Sequence, residues 1–330
     1  MKRKYLIVFL SIIGVISISW GSLIHRTIHQ LAVYQLPKPM QSFFHENMKY
    51  LVENAPRPDT RRNTDSSEAP RHFIDLEAYG DSAAWKMPMV WETAISIYSI
   101  DSLLEYGYVP YHIMTMQERL TKAFRKLEKD SILFYAVDLA HYIGDANVPL
   151  HTTLNYDGQL TNQHGLHSLW ESMIPEIHIA EYKLYSDHKA KYISDPAKEV
   201  WACIRRAHKL LPGVFGKEVE ATKEFTGSTK YRIQVRRGKE VKSYTSAFAK
   251  TYNQKLGQTI NQQLLYSVKM IGDFWYTAWV DAGRPDLSSI TLNHGEKEKE
   301  ILKSELKAYR KNELLKKDLL LSKKDKKAND

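Results

Sequence analysis

Apolar positions recur three and four apart along most of the chain, and that spacing predicts helices. It is clear in "TIHQLAVYQL" (27–36), "VWETAISIYSIDSLLEYG" (90–107), "QERLTKAFRKLEK" (117–129) and "SILFYAVDLAHYIGD" (131–145). "DPAKEVWACIRRAHKLL" (195–211) adds a start signal, an aspartate cap followed by proline in the first turn. "INQQLLYSVKMIGDFWYTAWVDAG" (260–283) is the longest and most apolar run, and its aromatics Phe274, Trp275, Tyr276 and Trp279 read as core. One stretch breaks the pattern. "KYRIQVRRGKEVKSYT" (230–245) alternates on both sides of Arg237-Gly238, which predicts a β-hairpin. The fold class is therefore all-α, a single multi-helix domain with one small hairpin excursion.

The ends differ from the body. "MKRK", the apolar run "YLIVFLSIIGVISI" and the small residues of "SIS" before Trp20 predict a signal peptide over 1–19. The run is short of the roughly 20 residues that a membrane span needs. An uncleaved anchor and cleavage after Gly21 are the alternatives. Residues 20–293 form the domain, and 294–330 form a Lys/Glu-rich tail, a solvated helix or disordered. The formal charge of +9 is concentrated in the first residues and the tail, so the body is close to neutral and shows no strongly basic face. Cys203 is the only cysteine, which excludes an intrachain disulfide. Stapling of an exported fold must then come from packing or from metal.

Candidate chemistry clusters in the middle of the chain. In "HYIGDANVPLH" His141 and Asp145 are four apart and share a helix face, and Pro149 favours a break before His151. "HGLHSLWE" repeats the spacing with His167 and Glu171. A single such pair carries little. Here four histidines (141, 151, 164, 167) crowd together, and His141 sits among Ala140 and Ile143, where an unpaired polar ring is costly. Imidazole and carboxylate are what zinc takes when thiolates are absent. Upstream, "RPDTRR" supplies Asp59 and "RHFIDLE" supplies His72, both beside arginines.

Taken together, "WGSLIH", "DTRR", "HFID", "HYIGDANVPLH" and "HGLHSLWE" resemble the zinc-dependent phospholipase C and single-strand-specific nuclease superfamily. The resemblance implies an all-α fold with three zinc ions in a cleft. It assigns one ion to Asp59, His72, His141 and Asp145, and a second to His151, His167 and Glu171. The third goes to the amine and carbonyl of Trp20, to His25, and to Asp145 as a bridge, which requires signal removal immediately before Trp20. Asp59 is implied as ligand, general base or both. Arg62 matches a phosphate contact, with a solvated charge as the alternative. Phe73 and Asp75 match base-stacking and base-bonding positions, although Phe73 could equally pack in the core. His164 is either a support for the site or a loop histidine.

The substrate is a phosphodiester. Glu171 in place of aspartate, and Ser172 in place of asparagine, favour a secreted phospholipase C acting on a lipid headgroup, with peripheral membrane contact. A nuclease cutting single-stranded nucleic acid is the alternative. A zinc-stabilised binding protein without turnover stands behind both. No obligate protein partner is called for.

Overall fold

The computed structural model describes residues 22–236, 239–292 and 296–326. The signal-peptide residues and Trp20 lie outside them, as does the start of the tail. At the centre lies the Lys129–Ala146 helix, buried on every side from Ala136 onward. A helix that is apolar all round belongs in the middle of a bundle. It packs against the Val109–Lys126, Thr259–Asp281 and Ser22–Val33 helices. Leu127, in the left-handed region at φ 56°, ends the Val109–Lys126 helix and lets the chain turn straight into the central one. Trp275 locks the long helix to the centre: its indole N–H donates to the Ala136 carbonyl (3.0 Å) and its ring stacks on Phe44.

Most predicted elements appear where the periodicity puts them. Asp195 caps the Pro196–His208 helix by accepting from the Lys198 amide at 3.0 Å. The hairpin forms from β1 (Tyr231–Arg236) and β2 (Lys239–Tyr244), antiparallel with Tyr231 opposite Tyr244. Phe274 and Trp275 are fully buried, while Tyr276 and Trp279 pack partly buried at the edge of the core.

Two expectations change. The single helix over 90–107 is two, Trp91–Tyr98 and Ile100–Tyr106. Ser99 stands at φ 66° between them, and its hydroxyl accepts from the Ser102 amide, so it caps the second helix. The tail is solvated on its charged face only. It forms a Glu296–Arg310 helix that buries Ala308 and Tyr309, and the following turns bury Leu314 and Leu320. Gln30 of the first helix bonds the Leu319 carbonyl and the Leu321 amide, and Thr27 bonds Ser322. The tail thus clasps the helix that carries His25. Among the described residues no helix is long and apolar enough to cross a membrane.

Candidate metal centre

His141 and Asp145 project from the central helix where it has no solvent to face; both are essentially fully buried. Polar groups so placed need partners, and three separate segments supply them. The first helix brings His25, whose ring stacks on His141 with centroids 3.9 Å apart. The short Arg57–Arg61 helix brings Asp59. The 72–75 segment brings His72, pinned to the turn after Pro149 by two bonds. The Ile74 amide donates to the His151 carbonyl (2.9 Å) and His151 Nδ1 donates to the His72 carbonyl (2.7 Å).

The ligand-type atoms then fall into groups. His25, His141 and Asp145 place such atoms within 4.8 Å of one another, as do Asp59, His72 and His141, and also His151, His167 and Glu171. Asp145, a member of the first group, also borders the second: its Oδ2 lies 2.8 Å from His72 Nδ1 and 3.3 Å from His141 Nε2. His72 Nδ1 and His141 Nε2 are 3.3 Å apart, each 3.8 Å from Asp59 Oδ1. A tetrahedral shell with bonds of about 2.0 Å has edges of about 3.3 Å, so these spacings suit zinc. The other oxygen of Asp145 faces away, 3.3 Å from His25 Nε2. One carboxylate therefore lies between two groups. In the third group His167 Nε2 lies 2.7 Å from Glu171 Oε2 and 3.2 Å from His151 Nε2.

The Glu171 turn has a local cause. Residues Leu169–Met173 are wound as a π-turn between the short Leu166–Ser168 and Ile174–His178 helices. Pro175 lacks the amide that would bond the Glu171 carbonyl four residues back, and π-turns arise where the regular ladder is interrupted.

The electrostatics of the cluster are those of a cation site. Burial alone pushes Asp145 up, but the imidazoles of His141 and His151, with bonds from His141 and His25, hold it well below the usual carboxylate range. Glu171 is likewise pushed up by burial and pulled well down by His151 and His167. Burial disfavours charge on His151, yet Asp145 and Glu171 raise it to about 9. A potential that retains protons on buried imidazoles also favours a dication, and binding one must release those protons.

The other predicted residues lie around this centre. Arg62 is about half exposed, its guanidinium 3.8 Å from Asp59 at the rim. Phe73 is partly buried, with Gly107 pressed on its backbone and ring. Asp75 is buried, and burial together with the Glu77 charge raises its carboxyl to about 7, partly offset by His151. His164 is exposed and belongs to none of the three groups; with Ser168, Arg232 and Lys242 it lines a cavity of about 360 Å³ beside the hairpin. The hairpin flanks that cavity. One contributor had no sequence signal: Glu68, fully buried behind His72, where it meets Arg61, Arg71 and Tyr142. A glutamate in the polar stretch "DSSEAPR" gives no sign of burial.

No curated protein matches the chain. Residues 20–268, about three quarters of it, match the S1/P1 nuclease family. The match begins at Trp20 and takes in Asp59, His72 and every buried histidine and carboxylate of the cluster. An all-α fold, grouped His/Asp/Glu ligands and this match agree: the chain belongs to the S1/P1 nuclease family, whose members are zinc-dependent hydrolases of phosphoric diesters.

Proposed function

We propose that the protein is an exported nuclease that cuts single-stranded nucleic acid with three zinc ions. Asp59, His72, His141 and Asp145 hold one ion, and His151, His167 and Glu171 hold a second. His25, the amine and carbonyl of Trp20, and Asp145 hold the third. The observation that carries the reading is Asp145, whose two oxygens face ligand groups on opposite sides. Zinc, when bound, supplies Lewis-acid polarisation of a phosphoryl oxygen and lowers the pKa of a coordinated water.

The chain's own residues do the rest. Asp59, partly open to solvent at the rim, accepts the proton of the attacking water in addition to its ligand role. Arg62 beside it donates to the phosphate, where negative charge grows in the transition state. Phe73 stacks on a base, and Asp75 bonds its edge. A carboxyl raised to about 7 donates as well as accepts near neutrality.

Glu171 and Ser172 favour phospholipase C in the sequence, but exchanging aspartate for glutamate at a ligand keeps the same donor atom one methylene further out. It bears on the metal more than on the substrate, whereas family membership bears on the substrate directly. The test uses chain starting at Trp20, loaded with zinc, with metal counted by native mass spectrometry. Single-stranded DNA should be cleaved and phosphatidylcholine left intact, at a stoichiometry of three. Hydrolysis of the lipid without DNA restores the phospholipase reading; turnover of neither, nor of bis-p-nitrophenyl phosphate, leaves a zinc-stabilised binding protein.

A further inference from the structure

Three histidines of the cluster, His141, His151 and His72, are backed differently. His141 donates its Nδ1 proton to the Ala55 carbonyl at 2.9 Å, and His151 donates its own to the His72 carbonyl at 2.7 Å. Both turn Nε2 to the centre and rest on neutral oxygens. His72 is reversed. Its Nδ1 faces Asp145, and its Nε2 is buried without a hydrogen bond, with Glu68 Oε1 3.3 Å away.

Glu68 is held from every other side. Arg61 donates to it through Nε (2.8 Å) and Nη2 (3.2 Å), Arg71 through Nη1 (2.5 Å), and the Tyr142 hydroxyl also donates to it. Arg61 continues to Asp138 at 2.9 Å, one turn before His141 on the central helix. The carboxylate is therefore fixed to the same element that carries His141 and Asp145, and the His72 ring packs between the two.

We infer that Glu68 is a positioning residue for the metal centre. Through Nε2 it sets the tautomer and tilt of His72, so that Nδ1 presents its lone pair between Asp59, His141 and Asp145. A carboxylate behind an imidazole also makes that ring a stronger donor than its carbonyl-backed neighbours. The inference rests on the ligand set proposed above. A purely structural role for Glu68, as an anchor for Arg61 and Arg71, is the competing account, and the two differ in what they predict.

The test measures zinc affinity by chelator competition, and melting of the metal-free chain by circular dichroism. Glu68→Gln should weaken one ion about ten- to a hundredfold. Arg71→Gln and Tyr142→Phe loosen the carboxylate's other contacts but leave it behind His72; they should lower the melting temperature and keep the affinity close to the parent's. Equal affinity in Glu68→Gln and parent, or an equal loss in all three variants, overturns the inference. His72→Ala separates the levels. If it costs no ion, the ligand set is wrong; if it costs one while Glu68→Gln costs nothing, only the role of Glu68 falls. Should Glu68→Gln not fold, nitrogen-15 spectra of the zinc-loaded parent decide. His72 should carry its proton on Nε2 while His141 and His151 carry theirs on Nδ1, and a His72 protonated on Nδ1 refutes the proposal.

Discussion

At the scale of single residues, the groups around the centre are tuned by burial as much as by charge. Asp75 is the case that can be tested without metal. Its carboxyl is raised to about 7, first by burial and then by Glu77, against about 4 in an unfolded chain. Between those values the folded chain binds a proton that the unfolded chain has lost. Folding stability therefore falls as pH rises from about 4 to about 7, and stays lowered above that. Asp75→Asn cannot ionise. In chelated protein it should melt close to the parent at pH 5 and above it at pH 8. The same melting difference at both pH values would mean that Asp75 ionises freely. Glu68 makes the complementary point. Candidate ligands such as His141 and Asp145 are readable because an apolar helix makes polar residues conspicuous. A buried glutamate arriving from a polar loop has no such background, and only its surroundings in space reveal it.

At the scale of elements, the site depends on two helices approaching closely. Gly144 makes room: a Cβ there would stand 2.9 Å from Ile28 Cδ1 and 3.1 Å from the His25 ring. Gly144→Ala gains up to about 1 kcal/mol in helix propensity and costs about 1–3 kcal/mol in overpacking. The net change in stability should be small and unfavourable. The larger effect falls on His25, which is pushed along His141. On the proposed ligand set, metal counting on this variant should find one ion fewer than in the parent; an unchanged count would separate His25 from the third proposed site. Element boundaries show how far sequence carries. Helices with an unbroken 3.6-residue pattern were legible, because one buried face needs one period. The break at Ser99 and the π-turn at Leu169–Met173 were not, since apolar residues continue across both. What interrupts the helix there is a cap and a proline, which hydrophobic periodicity does not register.

At the scale of the whole molecule, the tail is a largely exposed helix with a buried seam that its composition does not show. Alternating lysine and glutamate reads as solvent-facing, and most of those side chains are exposed, but the buried contacts come from the few residues between them. Tyr309 packs on Tyr34 with ring centroids 5.0 Å apart, and its hydroxyl meets the Ser186 amide at 3.2 Å. Tyr309→Ala should cost about 3–5 kcal/mol, roughly 5–15 °C in melting temperature, with activity per folded molecule retained. An unchanged melting curve would return the tail to solvent. The clasp also imposes an order in time. Thr27 finds Ser322 only after 295 further positions of chain are available, and contacts so remote in sequence form late. Until that far end arrives, the apolar flank of the His25 helix stays open to proteases and to other chains. The helix that brings His25 to His141 and Asp145 is thus secured last, by the opposite end of the chain.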